Sequence, residues 1–188
     1  MLQFNFSPFP ILQSNRLSFR QINNEDVNEI FFLRSDSRAM EFLDSAPAKN
    51  KKDALGYIDR ANASIDKNDG ITWGITLKGE DKVIGYIGFW NMQATHFRIE
   101  IGYILHPDYW RQGFMSEALQ TITNYAFNQT ELHSIEANVS VDNIPSMRLL
   151  EKNGFVKEAH FRENYYYDGK FLDSIIYSLV KGVHSNSV

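Results

Sequence analysis

Apolar and polar residues alternate through Arg16-Leu17-Ser18-Phe19-Arg20-Gln21-Ile22, the period-two pattern of a strand with one buried face. The polar run Asn23-Asn24-Glu25-Asp26 then supplies a cap and an acidic first turn, with Val27, Ile30 and Phe31 at helical spacing behind it. A second helix is expected over residues 53–66, where Leu55, Ile58 and Ile65 line one side and Lys67-Asn68-Asp69-Gly70 breaks the pattern. Residues 72–77 and 83–90 read as strands joined by the turn Lys78-Gly79-Glu80-Asp81, and a third strand over 97–106 stops at Pro107. A helix over 116–128 follows, with Met115, Ala118, Leu119, Ile122, Tyr125 and Ala126 spaced as one stripe. Then come a strand over 135–141 and a helix opened by Asp142-Asn143-Ile144-Pro145, whose proline suits a first helical turn. Asn153-Gly154 stops that helix, and two strands, 155–167 and 171–181, flank an Asp168-Gly169 turn. The order β-α-α-β-β-β-α-β-α-β-β, with mostly short connections, predicts an α+β fold. Its mixed, mostly antiparallel sheet has about seven strands and helices on both faces.

Composition narrows the class. The 188 residues suit one domain over 1–182 with a loose tail over 183–188, and 43% hydrophobic with 14% aromatic content excludes disorder over most of the chain. Nineteen Lys and Arg against 23 Asp and Glu give a net charge of −4, which argues against binding to nucleic acid or anionic lipid by bulk charge. With no cysteine there is no disulfide framework, thiolate metal site or cysteine nucleophile. The histidines lack metal-ligand spacing, so no metal site is expected. No apolar run approaches the roughly 20 residues of a membrane span and the N-terminus lacks a signal-peptide pattern, so a cytoplasmic protein is expected.

The chemistry sits in one stretch, Glu100-Ile101-Gly102-Tyr103-Ile104-Leu105-His106-Pro107-Asp108-Tyr109-Trp110-Arg111-Gln112-Gly113-Phe114-Met115-Ser116-Glu117-Ala118-Leu119. It reads as a strand, a tight glycine-containing loop and a helix N-terminus, whose free N–H groups and positive dipole end suit a phosphate or pyrophosphate. Gly113 lets the backbone approach an anion closely, and Arg111 adds a charge-assisted donor. The same residues also suit an ordinary strand-to-helix turn with Arg111 in solvent. The glycine spacings of a P-loop or a dinucleotide fingerprint are absent.

This stretch resembles motif A of the GNAT acetyltransferase superfamily, and is most similar to the branch of bacterial ribosomal-protein N-terminal acetyltransferases. Asp142-Asn143-Ile144-Pro145-Ser146-Met147-Arg148-Leu149-Leu150-Glu151-Lys152-Asn153-Gly154-Phe155 is similar to the family's Asn-x-x-Ser-x-x-x-Leu-Glu-Lys-x-Gly-Phe, and Ser14-Asn15-Arg16-Leu17-Ser18-Phe19-Arg20 resembles the branch's opening. Trp110 stands where the wider family has Gln or Arg, and Met115 where it has Gly or Ala. The resemblance implies acetyl-CoA as cosubstrate. Arg111, Gln112, Gly113, Phe114, Met115 and Ser116 would cradle the pyrophosphate with backbone amides. Tyr103, Ile104 and Leu105 would offer strand-edge groups to the pantetheine arm, and Asn143 would contact it. It also implies direct, ordered transfer to a primary amine. The first acceptor expected is a ribosomal-protein N-terminus; a polyamine or an aminoglycoside is the rival substrate, and a non-catalytic acyl-CoA-binding module is the rival class. A basic acceptor tail is compatible with the −4 charge. Monomer and homodimer both remain open.

Acetyl transfer needs a base for the protonated amine and a proton for the leaving thiolate. Strand alternation sets Arg98, Glu100 and Gly102 opposite Phe97, Ile99, Ile101, Tyr103 and Leu105, and a carboxylate on a central strand calls for a partner or a role. Glu100 is the candidate base, in line with the superfamily's habit of placing one on this strand; an ion pair with Arg98 or a neighbouring strand is the alternative. Glu136 reads as structural, Glu163 as a substrate contact beside Asn164-Tyr165-Tyr166-Tyr167, and Glu117 as a helix-dipole residue. Many superfamily members carry an acid Tyr seven residues after the Asn, where this chain has Leu150. The branch often has Ser three residues after it, so Ser146 becomes the candidate acid, with a helix-cap role as its alternative.

Overall fold

The computed structural model describes residue 2 and residues 4–182. The tail expected over 183–188 lies outside the described residues. Eight strands form one sheet in the order β1-β2-β3-β4-β5-β6-β8-β7. They are β1 (Leu12–Gln13), β2 (Leu17–Gln21), β3 (Ile71–Leu77), β4 (Val83–Gln93), β5 (Arg98–Leu105), β6 (Ser134–Ser140), β7 (Val156–Tyr167) and β8 (Lys170–Val180). The helices are α1 (Val27–Leu33), α2 (Ser37–Met40), α3 (Lys51–Lys67), α4 (Phe114–Gln129) and α5 (Ile144–Lys152). The expected α+β class and mostly antiparallel sheet are observed, with β5–β6 the one parallel pair. The sheet has eight strands where about seven were expected, because Leu12–Gln13 adds a two-residue edge strand paired to Phe19 and Ser18. Two residues are too few to show alternation. The four-residue α2 also escaped the pattern; its signal was the Asp36 cap, whose side chain accepts from the Arg38 and Ala39 amides.

Local chemistry sets the ends of the elements. Asn50 caps α3, its side chain accepting from the Lys52 and Asp53 amides, and Asn68 ends it in the left-handed region at φ 56°. β4 is buried from Val83 to Phe89, which explains an apolar run without alternation: helices cover both faces. On one face α1 and α3 pack Ile30, Leu33, Ala54 and Ile58 against Val83, Tyr86 and Ile104. On the other, the Met115, Ala118, Leu119, Ile122 and Ala126 stripe of α4 packs over Trp73, Ile87 and Ile101. Phe97, expected as the first residue of β5, instead takes φ 52° and the strand begins at Arg98.

The sheet opens at its centre. β5 and β6 are paired only through Arg98–Ser134, Ile99–Ile135 and Glu100–Glu136. Beyond that point β5 stays with β4 as far as Leu105, while β6 stays with β8 as far as Ser140. The two halves of the sheet therefore part like a wedge after Glu100.

Candidate active site

A cavity of about 510 Å³ lies in and beside this wedge. Its walls are Glu100 to Tyr103 of β5, Ala137 to Ser140 of β6, Asn143 and Ser146 at the start of α5, Trp90 of β4, Tyr165 of β7 and the 42–44 loop.

Glu100 is the carboxylate at the point where the strands separate. The Asn91 side-chain amide donates to it at 3.2 Å. No cation pairs with it among the described residues: Arg98 forms its ion pair with Glu136 instead, so the expected Arg98 alternative for Glu100 is not what the fold builds, and Glu136 takes the structural role read for it. Burial pushes the Glu100 carboxyl above the ordinary carboxylate range, and the neighbouring Glu136 charge adds to the rise against the opposing Asn91 bond.

At the start of α5, Asn143 Oδ1 accepts from the Ser146 amide at 3.1 Å. The helix cap thus uses the backbone N–H of Ser146 and leaves its hydroxyl outside the cap. That hydroxyl lies 2.7 Å from the Tyr103 phenol oxygen across the cavity wall. Burial raises the Tyr103 phenol well above its ordinary value, opposed by the Ser146 bond. Sequence reasoning assigned Tyr103 only backbone groups; its side chain was missed, because nothing in the pattern links position 103 to position 146.

The Arg111–Ser116 segment follows the far end of β5 and leads into α4. Arg111 and Gly113 adopt positive φ of 60° and 79°, and Gly113 stands at the N-terminus of α4 with no side-chain cap. The first intrahelical bond there is Glu117 N–H to Gly113 C=O at 3.1 Å, so the amides of Phe114, Met115 and Ser116 point out of the helix end unpaired among the described residues. A bracket holds the loop. The Glu117 carboxylate accepts from the Ser14 hydroxyl, the Arg16 amide and Arg16 Nε, each at 2.7 Å. Arg16 also donates to the Gln112 carbonyl at 3.0 Å and lies 4.3 Å over the Phe114 ring. Burial pushes the Glu117 carboxyl up, but these donors outweigh it and leave it below the ordinary range. Glu117 is therefore a brace between the β1–β2 connection and α4, beyond the dipole role read from sequence. The Ser116 hydroxyl joins α4 to α5 through Asn153 Oδ1 at 3.0 Å.

The wedge leaves the β6-facing edge of Tyr103, Ile104 and Leu105 without a strand partner, while the Leu105 carbonyl accepts from the Trp110 indole at 2.8 Å. Glu163, expected at the substrate, is exposed at a β7 bulge with φ 48°, its amide donating to Asp173. Tyr165 lines the cavity in its place. Burial and the Asp44 carboxylate push the Tyr165 phenol up to about 12. Phe42, Asp44 and Trp90 also line the cavity and carried no sequence signal. Trp90 lies over Gly102, where a Cβ would collide with the indole. Among the described residues no lysine or arginine lines the cavity, and its two carboxylates are Asp44 and Glu100.

The family profile for the Acetyltransferase (GNAT) domain matches residues 16–156. The uncharacterized N-acetyltransferase YoaA of Bacillus subtilis is 37% identical over 173 residues, 92% of this chain and 98% of its own length. Spermidine N(1)-acetyltransferase of Vibrio cholerae is 28% identical over 85% of this chain and 90% of its own. Among solved structures, a GNAT-family acetyltransferase from Bacillus anthracis superposes with TM-score 0.82 at 25% identity, covering 91% of this chain and 98% of that one. RimL, a ribosomal alpha-N-protein acetyltransferase solved in complex with coenzyme A, shares the fold with TM-score 0.82 at 19% identity over 91% and 98% of the two chains. With motif, topology and relatives in agreement, the chain belongs to the GNAT acetyltransferase family and is an N-acetyltransferase.

Proposed function

We propose that this chain moves the acetyl group of acetyl-CoA to a primary amine, and that the amine is a protein N-terminal α-amine of the ribosomal-protein type. The observation that carries the reading is the wedge, with a carboxylate that has no cationic partner where the strands part, followed after β5 by a helix start whose amides are unpaired among the described residues. The backbone amides of Arg111, Gln112, Gly113, Phe114, Met115 and Ser116 would hold the pyrophosphate; the uncapped helix end and the missing Cβ of Gly113 fit an anion there. The free edge of Tyr103, Ile104 and Leu105 would pair with the pantetheine amides as a third strand does, and the Asn143 side-chain amide nitrogen, not used in its cap, would contact the same arm.

Glu100 takes a proton from the incoming ammonium. An α-ammonium, pKa about 8, is closer to a raised carboxyl than a lysine-like ammonium at about 10.4, so the transfer is less uphill for a chain terminus. The freed amine attacks the thioester carbonyl, the C–S bond breaks with its electron pair on sulfur, the new amide nitrogen sheds its second proton to solvent, and the Ser146 hydroxyl supplies the hydrogen bond and proton that the thiolate needs. A cavity with two carboxylates and no cationic wall suits a cationic acceptor. That same lining, with the spermidine-acetylating relative, favours a polyamine as the second reading.

A CoA-release screen across N-terminal peptides, polyamines and aminoglycosides tests both. Turnover with peptides whose α-amine is free, lost on blocking it, is expected. Turnover with polyamines alone would replace the first reading with the second. Tight acetyl-CoA binding with no turnover on any amine would leave a binding module.

A further inference from the structure

The Tyr103–Ser146 contact has a proton count that neither residue has alone. Two hydroxyls carry two protons, and the 2.7 Å bond between them uses one. Neither oxygen has another partner among the described residues, and the helix cap is satisfied by the Ser146 amide. One O–H is therefore always left for a guest in the cavity that both residues line. Which one is left follows from geometry and acidity. A phenol proton lies near its ring plane, whereas a serine hydroxyl turns freely about Cβ–Oγ; a phenol is also more acidic than an aliphatic alcohol, so its O–H is the stronger donor and the serine oxygen the stronger acceptor. With Tyr103 donating to Ser146 Oγ, the serine proton is the one turned into the cavity.

We propose that Tyr103 is a positioning residue for Ser146: its phenol donates to Ser146 Oγ from β5 and thereby presents the serine proton to the departing sulfur. The inference rests on the role proposed above for Ser146. As the C–S bond breaks, sulfur keeps the electron pair and takes the Ser146 proton. The acylated nitrogen sheds its second proton as the amide forms and, passed through solvent, this reprotonates the serine oxygen; the proton that Glu100 took from the ammonium is released to solvent, so each cycle gives off one net proton. Tyr103 keeps its own proton throughout. Its contribution is the hydrogen bond that holds the serine oxygen as an acceptor and steadies the negative charge developing on it.

The test is a double-mutant cycle on the full chain with acetyl-CoA and the best amine from the screen. It reads CoA release, the KM for acetyl-CoA and the melting temperature for Tyr103→Phe, Ser146→Ala and the double variant. Tyr103→Phe should lower kcat about tenfold, the size expected for one hydrogen bond to developing charge, with the KM for acetyl-CoA and the melting temperature nearly unchanged. In the Ser146→Ala background the same substitution should cost nothing further. In a Ser146→Thr background, which keeps a hydroxyl, it should again cost severalfold. Losses that multiply in the double variant would show Tyr103 acting apart from Ser146 and overturn the proposal. So would a Tyr103→Phe chain that melts early while keeping its turnover per folded molecule. If Ser146→Ala alone turns over like the unsubstituted chain, the serine reading fails and this inference fails with it. Tight acetyl-CoA binding with no turnover by the unsubstituted chain would instead overturn the transferase reading itself.

Discussion

At the scale of single residues, the site turns on a carboxylate kept short of partners. Glu100 and Glu136 are register neighbours across the last paired rung of β5 and β6, yet Arg98 serves only Glu136. The Arg98 Nε is a buried nitrogen with no hydrogen-bond partner, so this rung carries an electrostatic cost. A base whose folded pKa is raised loses activity as pH falls through that raised value, so the acid limb of kcat/KM should lie above the ordinary carboxylate range. Glu136→Gln removes a like charge and frees the Arg98 cation; both effects favour the Glu100 anion and should move the limb to lower pH. An unmoved limb would assign it to another group. Glu100→Gln should lower kcat by a factor on the order of 10² or more with acetyl-CoA binding retained. It should also raise the melting temperature at neutral pH. A carboxyl whose folded pKa exceeds its unfolded one binds more protons when folded, so its ionisation opposes folding above that pKa, and Gln removes the opposition. Alternation within β5 was enough to set Glu100 apart from Ile99 and Ile101. It could not show that Arg98 would turn to Glu136, because that choice depends on a parallel rung formed 36 positions further along the chain.

At the scale of elements, the α4 end depends on contacts the sequence keeps far apart. The loop, its glycine and the helix were legible from local chemistry, with the helix beginning at Phe114, two residues before the expected start. The bracket was not, since Glu117 meets Ser14 and Arg16 about a hundred positions away and no periodicity encodes such a pairing. Gly113→Asp should weaken acetyl-CoA by at least tenfold, about 1.4 kcal/mol, by placing a like charge beside the pyrophosphate. Asp at φ 79° is also strained, so Gly113→Asn is the control: it tolerates the left-handed region and carries no charge. Asn should keep more of the affinity than Asp; equal losses in calorimetric titration would make the effect one of backbone strain. Glu117→Ala removes the acceptor of three donors and should lower both the melting temperature and acetyl-CoA affinity. Because the Glu117 carboxyl sits below its ordinary range, the stability it contributes is present above the unfolded carboxyl pKa and lost as pH falls through the lowered folded one. The melting-temperature gap between Glu117→Ala and the unsubstituted chain should therefore close in acid.

At the scale of the whole molecule, a sheet that parts after Glu100 leaves two stable halves joined by three parallel rungs. The mostly antiparallel pairing could be read from connection lengths, whereas the placing of β8 between β6 and β7 could not. The parting could not, because each strand taken alone, 98–105 and 134–140, looks like an ordinary continuous strand. A guest whose amide-bearing arm lies in the wedge would add backbone partners to the β6-facing edge of Tyr103 to Leu105 and tie the halves together. Binding only the folded state at a hundredfold excess over Kd stabilises it by about 2.7 kcal/mol. For a chain of this size that corresponds to a rise of roughly 5–10 °C in melting temperature. The location is the sharper outcome. Hydrogen exchange with bound acetyl-CoA should slow at the amides of Tyr103 and Leu105, which face away from β4, and of residues 113–116, while β1 to β3, already paired on the far side of the sheet, should change little. A melting shift without protection at Tyr103 and Leu105 would place the arm outside the wedge, and protection confined to 113–116 would leave the helix end as a phosphate site without the strand-like arm.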